Sequence, residues 1–465
     1  MADIRIKDLA NIATKINSST TLDYLPLDKT SPDRTERITP EVLFSMDETK
    51  IPFIGQNYVV INAKGTDEQN YSALLGALSL VNALTPNGVA RSATNRATLY
   101  LLNGRYVTAS SVVALQLLQF VDIIGIGNRE SIHIGSNSSL PVIKLQNAND
   151  NVFKNFTIEN LGAGESFGWN TGQTDNSIMD SIVINSRFNE GVTYSGTYTN
   201  LVCNSDNILN GVILNATVDN CRFMSKSCGY STSVTVQLSG SIKNSTGVTY
   251  CFGAGDLDVD MNAYIENCSC SGNSNYGFTG SGTVTYFNDS KIIDCDSEGA
   301  SFGLGAIAVV SYADSLILNC TSTDVSFGCS YSGSVSLYGT IKNCTATDRS
   351  FGSTTTGPVI NEGVIENCKA NLLSFGSTSS SGRLINCKRL GSYGVHAGFI
   401  EKCDFVGDLI ISSGATVRRC DIDQGKIDAS TAINAKIYLN SLDQVFSVNI
   451  TNLIGTPYNV VDNNI

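Results

Sequence analysis

Three aspartates at alternate positions are the residues whose type and spacing best suit chemistry. The stretch "GDLDVDMN" contains Asp256, Asp258 and Asp260. Alternate side chains of a β-strand share a face and lie about 7 Å apart, so the pattern predicts three outward carboxylates, with Leu257 and the other intervening apolar residues inward. This separation suits a carboxylate pair for glycan hydrolysis or a cation site. The alternative, which we favour, is a solvated strand face.

Other catalytic constellations are absent from the sequence. The only histidines are His133 and His396, so a Ser-His-Asp or Cys-His nucleophile is not expected. The acidic stretch of Asp294, Asp296 and Glu298 ranks lower, because Asp294 takes the position of a repeated Asn. We therefore commit no catalytic residue and lean towards a protein that is not an enzyme; if it is one, it is a polysaccharide hydrolase or lyase. No cofactor is predicted, and the cysteines lack the paired spacing of a metal site.

Composition narrows the class of protein. The chain has 465 residues, only 15% of them charged, and its net charge is −12. Abundant Gly, Ser, Asn, Thr, Val and Ile indicate a β-rich fold, and the negative charge disfavours binding to nucleic acid or to anionic membranes. No apolar run reaches the roughly 18 residues of a membrane span, and no signal-peptide layout is present, so we expect no membrane insertion and folding in a cytoplasm.

An Asn-Cys pair, or a close variant, recurs at intervals of 16 to 27 residues. We expect early copies at Asn185-Ser186 and Asn204-Ser205, and continuation without Asn at Lys402-Cys403 and Arg419-Cys420. The Asn is predicted to point inward at a sharp bend, where it tolerates the left-handed conformation and its amide bonds to the next copy. The small Cys is predicted to be a free, buried thiol. The structural ladder comprises Asn244, Asn267-Cys268, Cys295, Asn319-Cys320, Asn343-Cys344, Asn367-Cys368 and Asn386-Cys387.

A Ser-aromatic-Gly triplet begins six residues after the Cys position in four copies. Their aromatic rings are predicted to stack in a row beside a turn. Looser copies are centred on Phe252, Tyr276 and Tyr393, and an earlier one on Phe167. The four copies are centred on Phe302, Phe327, Phe351 and Phe375.

Self-similarity at this period indicates a solenoid. The repeats contain short alternating runs such as "TVTYF" and "VSLY", which predict strands with one buried face rather than helices. Because neighbouring coils stack about 4.8 Å apart, residues at one phase lie above their counterparts. The sequence therefore predicts an all-β parallel β-helix.

Residues 58–160 differ from the repeats. "YVVINAKGTDEQNYSALLGALSLVNAL" predicts a strand, a turn and an amphipathic helix of about 14 residues. Two phrases follow, "LLNGRY" and "VDIIGIG", each a strand closing on Gly. They resemble the entry of pectin-lyase-like β-helices of phage tailspikes and pectate-lyase-type proteins. The resemblance implies a right-handed, single-stranded β-helix whose open core is capped by the helix.

The first 50 residues contain a third pattern. The phrases "YLPL" from Tyr24 and "RITPEVL" from Arg37 resemble the N-terminal module of phage tail fibres and other virion appendages. Thr39 is predicted to cap a helix with Pro40 at its first position. The resemblance implies that Tyr24, Pro26, Thr39 and Pro40 belong to a particle-attachment module; the alternative is an ordinary capping subdomain.

These patterns divide the chain into an attachment module at 1–50, a β-helix entry at 51–160, regular coils at 161–430 and a C-terminal cap at 431–465. The resemblance implies a phage tail fibre, tailspike or head fibre, assembled in the host cytoplasm and located on the virion. Its expected partners are itself as a homotrimer, other virion proteins through the N-terminus, and host surface polysaccharide. The alternatives are a tailspike polysaccharide depolymerase that uses outward carboxylates, and a non-viral β-helix adhesin.

Overall fold

A computed structural model describes residues 57–442 and three short strands before them. Residues 110–113, 146–149, 171, 189–191, 211–212, 331, 349, 353–357, 371–378, 389–392, 397, 407, 424–426, 429–434 and 439–440 lie outside the description. The chain forms two compact units, Met1–Asn189 with Gly196–Ser205, and Glu190–Ser195 with Asp206–Ile465. Parallel β-solenoid coils build both units, which confirms the predicted fold class. The predicted domain boundaries stay predictions.

One α-helix, α1, occurs among the described residues, at Asp67–Ala83. Thr66 caps it through a reciprocal pair of hydrogen bonds: its hydroxyl accepts from the Gln69 amide, and the Gln69 side chain accepts from the Thr66 amide. Buried residues along α1, including Leu74 and Val81, hold it on the first coils of its unit. The helix predicted from the sequence is therefore present, at 17 residues rather than about 14.

The first unit arranges its strands in three parallel columns, and a coil contributes at most one strand to each. An antiparallel pair, Leu25–Pro26 with Arg37–Ile38, and the strand Phe53–Ile54, antiparallel to Tyr58–Ile61, stand outside these columns. The first column is Tyr58–Ile61, Ala97–Leu102, Val121–Ile126, Val152–Lys154, Ile178–Asp180 and Thr197–Thr199. The second is Gly104–Thr108, Ile132–Ser136, Thr157–Asn160, Val183–Ile184 and Val202–Cys203. The third is Leu115–Leu117, Ile143–Leu145 and Phe167–Gly168. The unit also contains the strand Thr174–Asp175 and two short 3-10 turns, Pro86–Gly88 and Arg129–Ser131.

The second unit repeats the three-column plan, and its first column changes partway along. After the paired strand Thr193–Tyr194 come three long strands, Ile213–Asp219, Val236–Lys243 and Val259–Glu266. From the next coil on, each is split in two by a corner: Thr283–Tyr286 and Lys291–Ile293, Ala308–Ser311 and Leu316–Leu318, Ser334–Leu337 and Thr340–Lys342, Val359–Asn361 and Val364–Glu366, Ser379–Ser380 and Arg383–Ile385, Tyr393–His396 and Phe399–Glu401, Leu409–Ile411 and Thr416–Arg418, Ile427–Asp428 and Lys436–Tyr438. The second column is Thr246–Gly247, Ser269–Cys270, Asp296–Ser297 and Thr321–Ser322, with Asp404–Val406, Asp421–Asp423 and Ser441–Leu442 further on. The third is Tyr230–Ser231, Ala254–Gly255, Phe278–Thr279, Leu304–Gly305 and Cys329–Ser330.

Register between coils places identical residue types over one another in the core of the second unit. Each buried Ile near the end of a first-column strand pairs with its counterpart in the next coil, beginning with Ile242 and Ile265. Burying one such side chain contributes about 2 kcal/mol. The column continues through Ile292, Ile317, Ile341, Ile365, Leu384, Ile400, Val417 and Ile437.

The Asn residues after these strands form a hydrogen-bonded ladder. Each Nδ2 donates to Oδ1 of the residue one coil earlier over 2.8–2.9 Å. The ladder has two runs, and each begins at a carboxylate, Asp219 or Asp294, because an ionised carboxylate accepts without donating. The donor residues are Asn244 and Asn267 in the first run, and Asn319, Asn343, Asn367 and Asn386 in the second.

Every position of this ladder after Asp219 has left-handed backbone, with φ between 49° and 55°. Asn adopts this conformation more readily than other residues that carry a side chain. Lys402 and Arg419 keep the same conformation at φ 54°, so the bend persists after the Asn is lost. The predicted inward orientation was wrong: the ladder Asn residues are exposed, and the Cys that follows each bend is buried instead.

The two earliest copies were also assigned to the wrong bend. Asn185 and Asn204 follow strands of the second column, and Asn204 donates to Asn185 over 2.9 Å. The left-handed residues that follow first-column strands in this unit are Asn155, Ser181 and Asn200. Each coil has more than one bend that accepts Asn, so the residue type alone did not distinguish them.

All fourteen cysteines are free and buried. In the ladder, each Sγ donates to the carbonyl two residues earlier, as Cys320 does to Leu318 over 3.2 Å, and also to a carbonyl of the preceding coil, Ile292, over 3.6 Å. Burial raises the pKa of the Cys320 thiol well above its usual value and that of Cys251 to about 12. The same pair of contacts recurs at Cys268, Cys295, Cys344, Cys368 and Cys387.

The aromatic rings of the triplets stack in the interior of the second unit. Phe302 and Phe327 have ring centroids 4.9 Å apart and nearly parallel planes, and Phe327 and Phe351 follow at 5.0 Å. The row extends back through Tyr276 to Phe252. These aromatic residues have left-handed backbone at φ 51–58°, which is rare for bulky side chains. The Gly after each is also left-handed, and at Gly328 a Cβ would lie 2.7 Å from Leu337 Cδ2.

Two of the predicted aromatic copies lie in strands rather than at the turn, and a third lies outside the described residues. Phe167 lies in a third-column strand and meets Phe153 and Phe188 edge to face, so its assignment to the turn position was wrong. Tyr393 begins a first-column strand, and its assignment was wrong for the same reason. Phe375 lies outside the described residues.

We expect Asn343→Ala to lower the free energy of unfolding by about 2 kcal/mol, because two amide hydrogen bonds and a favourable left-handed residue are lost. Asn343→Gly should cost about 1 kcal/mol less, since Gly restores the backbone conformation. Denaturant unfolding followed by circular dichroism measures both. The exposed Asn288, which is not in the ladder, is the control: Asn288→Ala should stay within about 0.5 kcal/mol of wild type. Equal stability of Asn343→Ala and Asn288→Ala would contradict the role assigned to the ladder.

We expect a thiol reagent such as Ellman's reagent to label none of the fourteen cysteines in the native protein at pH 8, and all fourteen after denaturation. The reagent must reach a thiol to react with it, and burial blocks that access. The absorbance of the released product measures the count. Rapid labelling of native protein at several sites would show that the thiol column is not packed as described.

Candidate functional site

The three aspartates singled out by the sequence lie at the start of a long first-column strand. Asp260 is half-buried within Val259–Glu266, whereas Asp256 and Asp258 are exposed and precede the strand. Leu257 is 40% exposed, so its predicted inward orientation was wrong. Regular alternation starts only at Val259, after the turn ends, which is why the pattern failed at Leu257.

Asp258 and Asp260 have different surroundings. Asp258 Oδ1 accepts a hydrogen bond from the Thr283 amide of the next coil over 2.8 Å. Burial first, and then the neighbouring charge of Asp258, raise the pKa of Asp260. In register, Asp260 lies between Gln237 and Thr285. A half-buried carboxyl group with a raised pKa is a candidate for acid–base chemistry, and its register neighbours here are polar and uncharged.

The second acidic stretch has a structural explanation. Asp294 is a left-handed ladder residue that accepts from Asn319, and Asp296 Oδ1 accepts from the Thr321 hydroxyl of the next coil. Glu298 is exposed, and its amide donates to the Cys270 carbonyl. These contacts hold neighbouring coils together.

The most deeply buried carboxyl belongs to a residue that the sequence did not single out. Asp175 lies fully inside the first unit, where it accepts from the Tyr198 hydroxyl over 2.6 Å and from the Ser177 hydroxyl over 2.9 Å. Burial raises its pKa, and these hydrogen bonds oppose the shift. Because Asp175 has no exposed surface, we assign it to the core.

The predicted attachment residues lie mostly outside the description. Leu25–Pro26 pairs antiparallel with Arg37–Ile38, which places Pro26 on a strand. Tyr24, Thr39 and Pro40 lie outside the described residues. Their predicted role stays a prediction.

An exposed aromatic row, not recognised from the sequence, lies at the corner that splits the first column of the second unit. We call it the aromatic corner: Phe287, Tyr312 and Tyr338, which follow the first strand of three successive coils and are 38%, 44% and 37% exposed. The rings of Phe287 and Tyr312 lie 5.6 Å apart with planes within 10°. None of the three belongs to the Ser-aromatic-Gly repeat. The sequence signal for Phe287 and Tyr312 is the shared phrase aromatic-x-Asp-Ser in "FNDS" and "YADS".

Two further properties bear on function. Among the described residues, no group of three or more His, Cys, Asp or Glu side chains is arranged to hold a metal ion. In the same part of the chain, no helix combines the length and apolar character needed to cross a bilayer.

This chain has little measurable similarity to known proteins. No family model and no curated protein matches the sequence. A structural match is found to the crystal structure of tailspike protein 3 of bacteriophage CBA120, at 12% sequence identity and a TM-score of 0.24, covering 98% of this chain and 70% of that chain. A TM-score this low does not show a shared fold, so function has to be inferred from this chain's own residues.

Proposed function

We propose that the protein is a structural appendage of a phage virion, a tail fibre, tailspike or head fibre, whose solenoid forms a rigid support and adheres to host surface glycan. One observation carries the proposal: in the second unit, ladders of Asn, Cys and aromatic residues run along successive coils. Twelve coils among its described residues contribute to the first column, from Thr193–Tyr194 onward, which corresponds to roughly 50 Å at 4.8 Å per coil. Such repetition favours a mechanical role.

The surface chemistry and the N-terminal resemblance support the same proposal. The sequence is rich in Gly, Ser, Thr and Asn, and the net charge of −12 disfavours nucleic acid as a partner. The phrases at Tyr24 and Arg37 resemble the attachment modules of virion appendages. Attachment through residues 1–50, homotrimer formation and location on the virion belong to the proposal on this basis.

We expect antibodies raised against the second unit to label purified virions at a projecting appendage in immunoelectron microscopy. When the protein is supplied without residues 1–50, it should be expressed and soluble, but the virions should carry no antibody label, because the attachment module is missing. The control is wild-type protein supplied in the same way. Particles that never label would refute the appendage, whereas labelling that survives the deletion would refute only the attachment module.

A second candidate is a polysaccharide depolymerase, favoured by the raised pKa of Asp260 beside Asp258. Glycoside hydrolysis uses a pair of carboxyl groups placed on either side of the scissile bond. Against this function, the register neighbours of Asp260 on the sheet are the uncharged Gln237 and Thr285, so no further acid or base flanks it there. We therefore place adhesion first.

On the adhesive interpretation, we expect the protein to release neither reducing sugars nor unsaturated products from host capsule or lipopolysaccharide. The depolymerase would instead show release that falls by about a hundredfold in Asp258→Asn and Asp260→Asn. Glu298→Gln removes an exposed acid outside the pair and should leave such activity unchanged. Product release with this pattern would overturn the order of the two functions.

A further inference from the structure

We propose that the aromatic corner of the second unit is a binding site for a neutral saccharide chain. The inference deepens the proposed adhesive function, on which its biological meaning rests, by naming the surface and the chemical class of the glycan. Exposed aromatic side chains grouped on a surface mark interaction sites more often than isolated ones do. Phe287, Tyr312 and Tyr338 form such a group.

Backbone hydrogen bonds hold the three aromatic residues in the same phase of successive coils. The Phe287 amide donates to the Met261 carbonyl, that of Tyr312 to Tyr286, and that of Tyr338 to Ser311, each a coil earlier. One ring is therefore presented per coil, at a repeat of about 4.8 Å. This repeat is close to the length that one sugar ring adds to a saccharide chain, so successive sugars can meet successive rings.

Each of the first two corner loops also provides a carboxylate. Phe287–Ser290 and Tyr312–Ser315 are four-residue loops with an exposed Asp two residues after the aromatic, Asp289 and Asp314. Apolar C–H faces of a sugar suit aromatic rings, while its hydroxyl groups donate hydrogen bonds to carboxylates. The loops thus pair both kinds of contact that a saccharide needs.

These two loops project because the corner loops of the following coils are shorter. In the following coils the corner shortens to two residues, at Tyr338–Gly339 and then at 362–363. The short form needs Gly, because a Cβ on Gly339 would lie 2.1 Å from Ser315 Oγ. A ledge therefore forms, with Phe287 and Tyr312 on the projecting side and Tyr338 at its foot.

The ledge is preorganised. The Ser290 amide donates to the Phe287 carbonyl over 3.0 Å, and Ser315 donates to the Tyr312 carbonyl from its amide over 3.1 Å and from its hydroxyl over 2.7 Å. Both Ser residues are buried and tie their loops to the coil. A surface already ordered loses little conformational entropy when a ligand binds.

Charge selects a neutral chain over an anionic one. The exposed acids Asp289, Asp314 and Glu362 surround the corner, with Lys291 as the nearby exposed cation in sequence. An anionic polysaccharide or a nucleic acid would be repelled by this surface and by the net charge of −12. We therefore commit to neutral hexose or N-acetylhexosamine chains.

The test is binding of the full-length protein to a glycan array that carries neutral glucans, N-acetylhexosamine polymers and their sulfated counterparts, with affinities taken by titration. We expect binding to a neutral chain and not to its sulfated form. Tyr312→Ala should weaken binding by about tenfold, whereas Tyr312→Phe should retain most of it. Ile307→Ala is the matched control, because Ile307 is 57% exposed on the same coil at the other end of strand Ala308–Ser311.

Equal affinities of Tyr312→Ala and Ile307→Ala would overturn the inference, as would the absence of binding to every neutral chain or preference for a sulfated one. Circular dichroism of each variant keeps a folding defect apart from a binding defect. The virion labelling described above is independent of this result. Labelled virions with an unaffected Tyr312→Ala variant would reject the saccharide site alone, whereas unlabelled virions with a defective variant would reject the appendage alone.

Discussion

Hydrogen bonding between successive coils is the constraint on which the rest of this structure depends. Parallel pairing in register places each residue about 4.8 Å above its counterpart, so a favourable contact made once can be repeated in every coil. The repeated Ile column, the thiols beside backbone carbonyls and the stacked Phe rings all follow from this geometry. The same constraint requires left-handed bends at fixed phases, which Asn and Gly allow.

The positions that depart from this repetition are the ones that distinguish one coil from the next. Asp294 interrupts the Asn ladder and begins a new run, because a carboxylate accepts without donating. The longer corner loops at Phe287 and Tyr312 break the regular first column and bring aromatic rings to the surface. Interior stacking of Phe is explained by packing, whereas the exposed rings at this corner form the surface on which the saccharide proposal rests.

Some acidic side chains make hydrogen bonds that hold the fold together. Asp296 accepts from the Thr321 hydroxyl, and Asp175 accepts from the Tyr198 hydroxyl. Asp260 is the half-buried member of the acidic stretch, and burial together with the charge of Asp258 raises its pKa.

The sequence by itself determined the solenoid, the capping helix and the spacing of the Asn, Cys and Phe columns, because periodicity reports directly on coil length. Tertiary structure alone decided which way residues at the bends point: the ladder Asn lie outside, Leu257 is exposed, and Asn185 and Phe167 occupy other phases. It also brought Phe287, Tyr312 and Tyr338 to one corner. Residues about 25 apart meet only through coil-to-coil register, and the turn lengths that set this register depend on packing that short sequence patterns do not encode.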